Sequence, residues 1–362
     1  SDAQLHDFGK LFDETMHEVG VRYFGSESDI DANGRVIVLM SSVVNSLTAR
    51  NCSQGAVIGF FYPNDFTRNT GSYRGEILYT LVPDPTGKFD CAHTLAEVQT
   101  LTPSTMLHEF QHMISHNQHV LARRGAAEDV WLNEGLSILA EEMGSRYYED
   151  KCGPTGCRTS STQLFPDSSA GFIVHVLENA YDYMRQPTAS SVTTFKDFGT
   201  LLERGGAWLF VRWLADQKGE QILPRLVQTS RTGLANVEFA SGESFPSLFG
   251  DFGIALYADS LPGVPRAAVP SRYRFQTRNL RALFARLNAI GRVPTPFPIT
   301  FPASRQLGLP GSVQGTVIQG SMDFLSMQMP ADAAAATLRF APQAGGTFPP
   351  ALRAQIGIFR LP

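Results

Sequence analysis

No stretch of the chain approaches the roughly 18 to 20 consecutive apolar residues that a membrane span needs, so no spanning helix is expected. The first residues, SDAQLHDFGKLFDE, lack the basic-then-apolar order of a signal peptide. A soluble chain, already processed, is the expectation. Charged residues are scarce, 18% against 43% hydrophobic. That balance argues against disorder and leaves enough apolar surface for one large core or two ordinary ones over 362 residues. No internal repeat of fixed period occurs, which excludes solenoids and propellers.

Two further absences shape the C-terminal part. From Gly263 onward there is no Lys and no Glu, while 11 Arg and two Asp give a net charge of +9. The preceding 262 residues carry a net charge of -13. A basic segment docking on an acidic body accounts for this asymmetry, and contact with an anionic polymer or cell surface is the alternative. Nucleic acid is not expected, because no aromatic-interleaved basic cluster accompanies the arginines.

Cysteine is sparse but even in number: Cys52, Cys91, Cys152 and Cys157. The CGPTGC turn can bring Cys152 and Cys157 to disulfide distance, which leaves Cys52 for Cys91. A zinc knuckle would need partner histidines that this stretch lacks. Disulfides place the protein outside the cytoplasm, secreted or periplasmic.

The N-terminal region mixes helix and strand. LFDETMHEVGVRYFG has helical spacing, and VIVLM, GAVIGFFY and GEILYTLV read as strands. GEILYTLV is the strand expected to pair with an extended substrate. Beyond residue 100 the pattern becomes helical. TPSTMLHEFQHMISHNQ opens with a Thr-Pro-Ser cap signal, and four further amphipathic segments follow to residue 258 with no strands between them. A wound parallel sheet is therefore excluded. After LPGVPRAAVPS, one helical run, TRNLRALFARLNAI, precedes short apparent strands with Gly and Pro turns. The expected fold class is α+β, with a mixed N-terminal sheet and a helical lower part over residues 1–262 and a small β-rich, Arg-rich module over 263–362.

The segment LHEFQHMISHNQHV packs His108, His112, His116 and His119 into twelve positions. At about 100° per residue all four fall near one helix face, so direction does not choose among them. Axial rise does: His108 and His116 are about 12 Å apart and cannot share one zinc bound at about 2.0 to 2.1 Å. The pair His108 and His112 encloses Glu109, which can take a proton from metal-bound water, whereas Met113 holds that place for the next pair. Downstream, VWLNEGLSILAEE begins a second helix 22 residues after His112. Glu134 is therefore a candidate third ligand on a neighbouring antiparallel helix. A metzincin-type third histidine would require Gly at 115 and His at 118, where the chain has Ser115 and Gln118. His116 and His119 read as the exposed end of the helix, where histidines complement its dipole.

LHEFQHM followed by WLNEGLS resembles the glutamate-type zincins, or gluzincins, and most of all the hyicolysin family of secreted neutral metallopeptidases. DIDANGRVIVLM, GGAWLFVRWLADQKG and TGLANVEFASGESFPSLFGDFGIALYA extend the resemblance over roughly residues 20 to 258. It implies a zincin-like domain and an endopeptidase acting on proteins or peptides. Zn2+ would be held by His108, His112 and Glu134, with Glu109 as general base.

The chain also departs from the gluzincin pattern. Thermolysin-like enzymes place an Asp four residues after the third ligand to orient a ligand histidine, and Ile138 stands there. Glu141, seven residues beyond Glu134, is the substitute candidate, with a solvated helix face as its alternative. The oxyanion stabiliser is open among Arg204, where relatives often carry Tyr, and Tyr181, Tyr183 and His175. Asp29, Asp31, Asn33 and Gly34 of DIDANG match positions 1, 3, 5 and 6 of a calcium loop, but position 12 is Met40. An Asx-rich turn is favoured there over bound Ca2+.

Two functions from different classes follow. One is a secreted, monomeric zinc endopeptidase. The other is a catalytically idle zincin-like binding protein attached to a surface or partner by its basic module; the retained Glu109 argues against it.

Overall fold

The computed structural model describes all residues except 49–54, 153–166, 330–331, 333–334, 344, 350–351 and 361–362, and excludes the side chains of residues 152, 167 and 168. The expected disulfide pairings involve Cys52, Cys152 and Cys157 and so lie outside the described residues, among which no cysteine is free.

In chain order the regular elements are α1 (Asp2–Leu11), α2 (His17–Phe24), β1 (Ile37–Met40), α3 (Ser42–Asn45), β2 (Gly59–Phe61), β3 (Ile77–Thr80), α4 (Leu95–His116), α5 (Val130–Cys152), α6 (Asp167–Arg185), α7 (Leu201–Lys218), α8 (Ile222–Val227), α9 (Gly233–Ser241), α10 (Phe245–Ala258), α11 (Leu280–Ala289), β4 (Gln306–Leu307) and β5 (Ser326–Met327). Helix dominates a mixture with few strands, which is compatible with α+β. No helix among the described residues is long and apolar enough to cross a membrane.

The chain divides into two compact units, residues 1–177 with 218–241, and residues 178–217 with 242–362. In the first unit the three expected N-terminal strands form one sheet in the order β1-β3-β2. β1 runs parallel to β3, with Ile37 opposite Ile77, and β2 runs antiparallel to it, with Phe60 opposite Tyr79. β3 is therefore central and paired on both edges. The expectation that GEILYTLV pairs with substrate fails for that reason; the edge strands of this sheet are β1 and β2. Leu81, Val44 and Val98 form a buried cluster against Met40, Val57, Ile58, Phe60 and Tyr79, holding the sheet to α3 and the start of α4.

α4 begins earlier than its Thr-Pro-Ser signal suggests. Thr94 and Glu97 form a reciprocal capping box: Glu97 N donates to Thr94 Oγ1, and Thr94 N donates to Glu97 Oε2. Pro103 consequently lies inside the helix. A mid-helix proline removes one ladder bond, and the hydroxyls of Ser104 and Thr105 both donate to Leu101 O nearby. Residues 106–111 and 113–115 are all buried. At its far end α4 continues as a π-type turn, Asn117–Leu121.

α5 runs antiparallel to α4. His108 meets Glu141, while His112, one turn further along α4, meets Ser137, one turn back along α5. Close approach depends on Gly144, where a Cβ would stand 2.7 Å from Phe172 and 2.9 Å from Leu107.

In the second unit α7 carries a run of eleven buried residues, Gly205 to Ala215. Arg212 and Asp216 form an ion pair at 2.9 Å with both side chains 1% exposed. Asp216 also accepts from Gln276 N, Thr277 N and Thr277 Oγ1. Arg266, Arg272, Arg292 and Arg305 each pair with a carboxylate of this unit: Asp259, Asp251, Glu178 and Asp323 respectively. The helix expected in TRNLRALFARLNAI is α11, capped by Asn279. The β-rich character expected for residues 263–362 is limited, among the described residues, to the two-residue pair β4 and β5. Short apolar runs between Gly and Pro satisfy strand propensity, yet a strand also needs a neighbour to take its backbone bonds, and most of these runs have none.

Candidate metal centre

Buried positions on two antiparallel helices bring together three of the sequence-predicted groups. Nε2 of His108 lies 3.4 Å from Glu134 Oε2, and Nε2 of His112 lies 3.7 Å from Glu134 Oε1. One donor atom from each of His108, His112 and Glu134 falls within 4.8 Å of the others. Ligands at about 2.0 to 2.1 Å from one tetrahedral ion stand about 3.3 Å apart, so these separations fit a zinc-sized cation. Two imidazoles and one carboxylate are also the donor types zinc accepts.

Each histidine is held from behind. His108 Nδ1 lies 2.8 Å from Glu141 Oε1, and the other Glu141 oxygen lies 2.7 Å from His175 Nε2. His112 Nδ1 lies 2.9 Å from Ser137 Oγ, which can pass its own proton to Asn133 O at 3.0 Å or Gln111 Oε1 at 2.5 Å. These contacts put the proton of each ring on Nδ1 and turn Nε2 toward Glu134. Glu141 is thus a buried bridge, not the solvated face that was its alternative. His175, weighed as an oxyanion stabiliser, is its second partner. Ser137 escaped the sequence reading, although its position three residues after Glu134 and four before Glu141 places it on the same face of α5.

The electrostatics follow from burial and these neighbours. Burial pulls His108 down, but the carboxylates of Glu134 and Glu141 outweigh it and push the ring up to about 10. Burial, helped by the charge on His108, lowers His112 in spite of Glu134. Burial works to raise Glu141, yet His175 and His108 together bring it down to about 2. The metal-free cluster therefore carries its proton on His108.

Glu109 sits beside the cluster on α4 and is 9% exposed. Its Oε2 accepts from Phe61 N at 2.8 Å. The orientation of β2 explains this bond. Ile58 O accepts from Leu81 N, so residues 58 and 60 turn their backbone groups toward β3, while residues 59 and 61 turn theirs outward. Glu109 is thereby fixed at the outer edge of β2. Gly59 permits the approach, since a Cβ there would meet Tyr79 O at 2.5 Å and Thr105 Cγ2 at 2.8 Å.

The other predicted residues make contacts of their own. Arg204 belongs to the second unit, where its Nε donates to Phe198 O at 3.0 Å. Tyr181, in the same unit, bonds Thr295, and Tyr183 is fully buried. His116 packs against Phe61 and Phe66 and is lowered by burial. His119 is not at an exposed helix end. The π-type turn carries the backbone onward and buries its side chain completely, with Glu128 Oε2 3.6 Å from Nε2.

The calcium-loop reading is altered as well. Asp29 and Asp31 come together with Glu76, and Asn33 donates its Nδ2 to Asp31 Oδ2 while its Oδ1 accepts from Arg35 N.

No known protein family's profile matches the chain. The neutral metalloprotease ShpI of Staphylococcus hyicus is 28% identical over 144 residues, which cover 40% of this chain and 31% of ShpI. The matched region thus spans less than a third of that relative. The similarity supports a metallopeptidase relationship.

Proposed function

We propose that the protein is an exported, zinc-dependent endopeptidase of the gluzincin type, closest in kind to the hyicolysins, with residues 1–262 as its peptidase part. The observation that carries this reading is the bond from Phe61 N to Glu109 Oε2. It fixes a carboxylate between an open strand edge and a group of two histidines and a glutamate with zinc-like spacing.

His108, His112 and Glu134 would hold the ion, the two histidines oriented by Glu141 and Ser137. A zinc ion bound there would supply Lewis-acid polarisation of the scissile carbonyl and would lower the pKa of water toward about 7. Glu109 takes the proton of the attacking water and delivers it to the leaving amine. An extended peptide adds to the outer edge of β2, where the Gly59 backbone groups and Phe61 O face outward, which lays its scissile bond across Glu109. The even cysteine count supports a site of action outside the cytoplasm.

Metal analysis combined with hydrolysis of casein tests the reading. Wild type should bind one zinc and cleave, and Glu109→Gln should retain zinc while losing about 10²- to 10⁴-fold in kcat. Stoichiometric zinc with no cleavage by wild type would favour the idle binding protein.

A further inference from the structure

The DIDANG turn supplies only part of a calcium loop, and the acid it lacks comes from another part of the chain. Glu76, just before β3, is 1% exposed. Its Oε1 accepts from Ser28 Oγ at 2.6 Å and from Ile30 N at 3.1 Å, which draws it against the turn. Its Oε2 is buried without a hydrogen-bond partner. One carboxylate oxygen from each of Asp29, Asp31 and Glu76 lies within 4.8 Å of the others. None of the three is ion-paired to a Lys or Arg among the described residues.

A buried carboxylate oxygen without a donor and three converging negative groups without a counter-charge are each costly alone. One cation answers both. We propose that Asp29, Asp31 and Glu76 form a calcium site, separate from the histidine centre. The donors are all oxygen, which selects a hard cation over zinc. Calcium accepts a flexible shell of oxygens at about 2.3 to 2.6 Å, whereas magnesium demands near-ideal octahedral geometry at about 2.0 to 2.1 Å and gives up water reluctantly. Gly75 leaves room for the Asp31 carboxylate, whose Oδ2 would stand 3.0 Å from a Cβ there. Asp29 and Asp31 are exposed, so water completes the shell. The affinity then belongs to the weak class of extracellular modules, Kd about 10⁻⁴ to 10⁻³ M.

Such an ion ties the turn after α2 to the start of β3. β3 pairs with β2, whose Phe61 holds Glu109. Calcium acts here on the sheet's stability, and the inference is independent of the peptidase reading.

The test is thermal unfolding of the zinc-loaded protein, freed of calcium by dialysis, against added CaCl2 or MgCl2 at matched ionic strength. Calcium at 5 mM should raise Tm by about 2 to 4 °C, with a smaller shift from magnesium. Asp31→Asn, at an exposed position, and Glu76→Gln should abolish the calcium shift, and Asp31→Asn should retain its zinc. A calcium shift no larger than that of magnesium, or an undiminished shift in folded Asp31→Asn, would overturn the proposal. Because Tm and zinc content are the readouts, failure here is separate from failure to cleave casein.

Discussion

Nδ1 of His108 lies 2.8 Å from Oε1 of Glu141, seven residues beyond Glu134 on the facing helix. The charge of that carboxylate raises the basicity of the ring and fixes its orientation. Glu141→Gln preserves shape and removes the charge, and zinc affinity should fall by about 10- to 100-fold. Ser137→Ala, which takes a neutral hydroxyl from His112, should cost less. Competition with a chromophoric chelator measures both. Unchanged affinity in Glu141→Gln would mean that the bond does not tune the metal.

The proton on His108 makes metal uptake depend on pH. With the metal-free ring pushed up to about 10, the folded protein holds an Nε2 proton at neutral pH that zinc must displace. His112, lowered by burial, contributes none at pH 8. Zinc binding at pH 8 should therefore release about one proton, and the apparent Kd should rise about tenfold per pH unit as pH falls from 10 toward 8. Above about pH 10 both dependences should vanish. Calorimetry in two buffers of different ionisation enthalpy reads the proton count, and a count of zero at pH 8 would refute the assignment.

His119 and Glu128 form a buried pair whose two members oppose each other in pH. Burial raises Glu128 from 4.5 to about 7 and lowers His119 from 6.5 to about 4. The folded protein keeps the Glu128 proton after the unfolded chain has lost it, so that contribution falls as pH rises from 4.5 through 7. The folded protein refuses the His119 proton that the unfolded chain accepts, so that contribution falls as pH drops from 6.5 toward 4. Between about 4.5 and 6.5 the two slopes offset. Relative to wild type, His119→Gln should turn the slope of stability against pH in that window toward decline, and Glu128→Gln should turn it toward increase. Each change of slope should be at most about 1.4 kcal/mol per pH unit. Urea unfolding at pH 5.0 and 6.5 distinguishes these outcomes from variants that keep the wild-type slope.

Local periodicity made the helices and the three N-terminal strands legible, because each buries one face whose spacing shows in the chain. Helical rise also separated His108 from His116, and Glu109 favoured His108 with His112 over His112 with His116. Pairing was not legible. That β3 is central and β2 an edge depends on which strands find each other, and no single strand encodes it. The same holds for Glu76, 45 residues after Asp31, which reaches the DIDANG turn only through the sheet. His119 misled because a helix end normally meets solvent, whereas a π-type turn here carries the chain inward. The tail misled in the other direction: strand-like runs without partners stay irregular.

The tight packing at Gly59 links strand placement to chemistry. A methyl group there would stand 2.5 Å from the Tyr79 carbonyl oxygen, a backbone atom that cannot swing aside, and 2.8 Å from Thr105. β2 must then move away from β3 or from α4. Either shift displaces Phe61 N, whose bond to Glu109 is already at an ordinary 2.8 Å. The zinc ligands lie on α4 and α5 and do not depend on this strand. Gly59→Ala should therefore keep one zinc per chain and lose about 10- to 100-fold in kcat/KM, since displacements near 1 Å carry penalties of about that size. Stability should drop by about 1 to 3 kcal/mol from the overpacking. Zinc content, casein hydrolysis and urea unfolding on one preparation separate the effects. Full activity with zinc intact would show that the bond from β2 does not position the base.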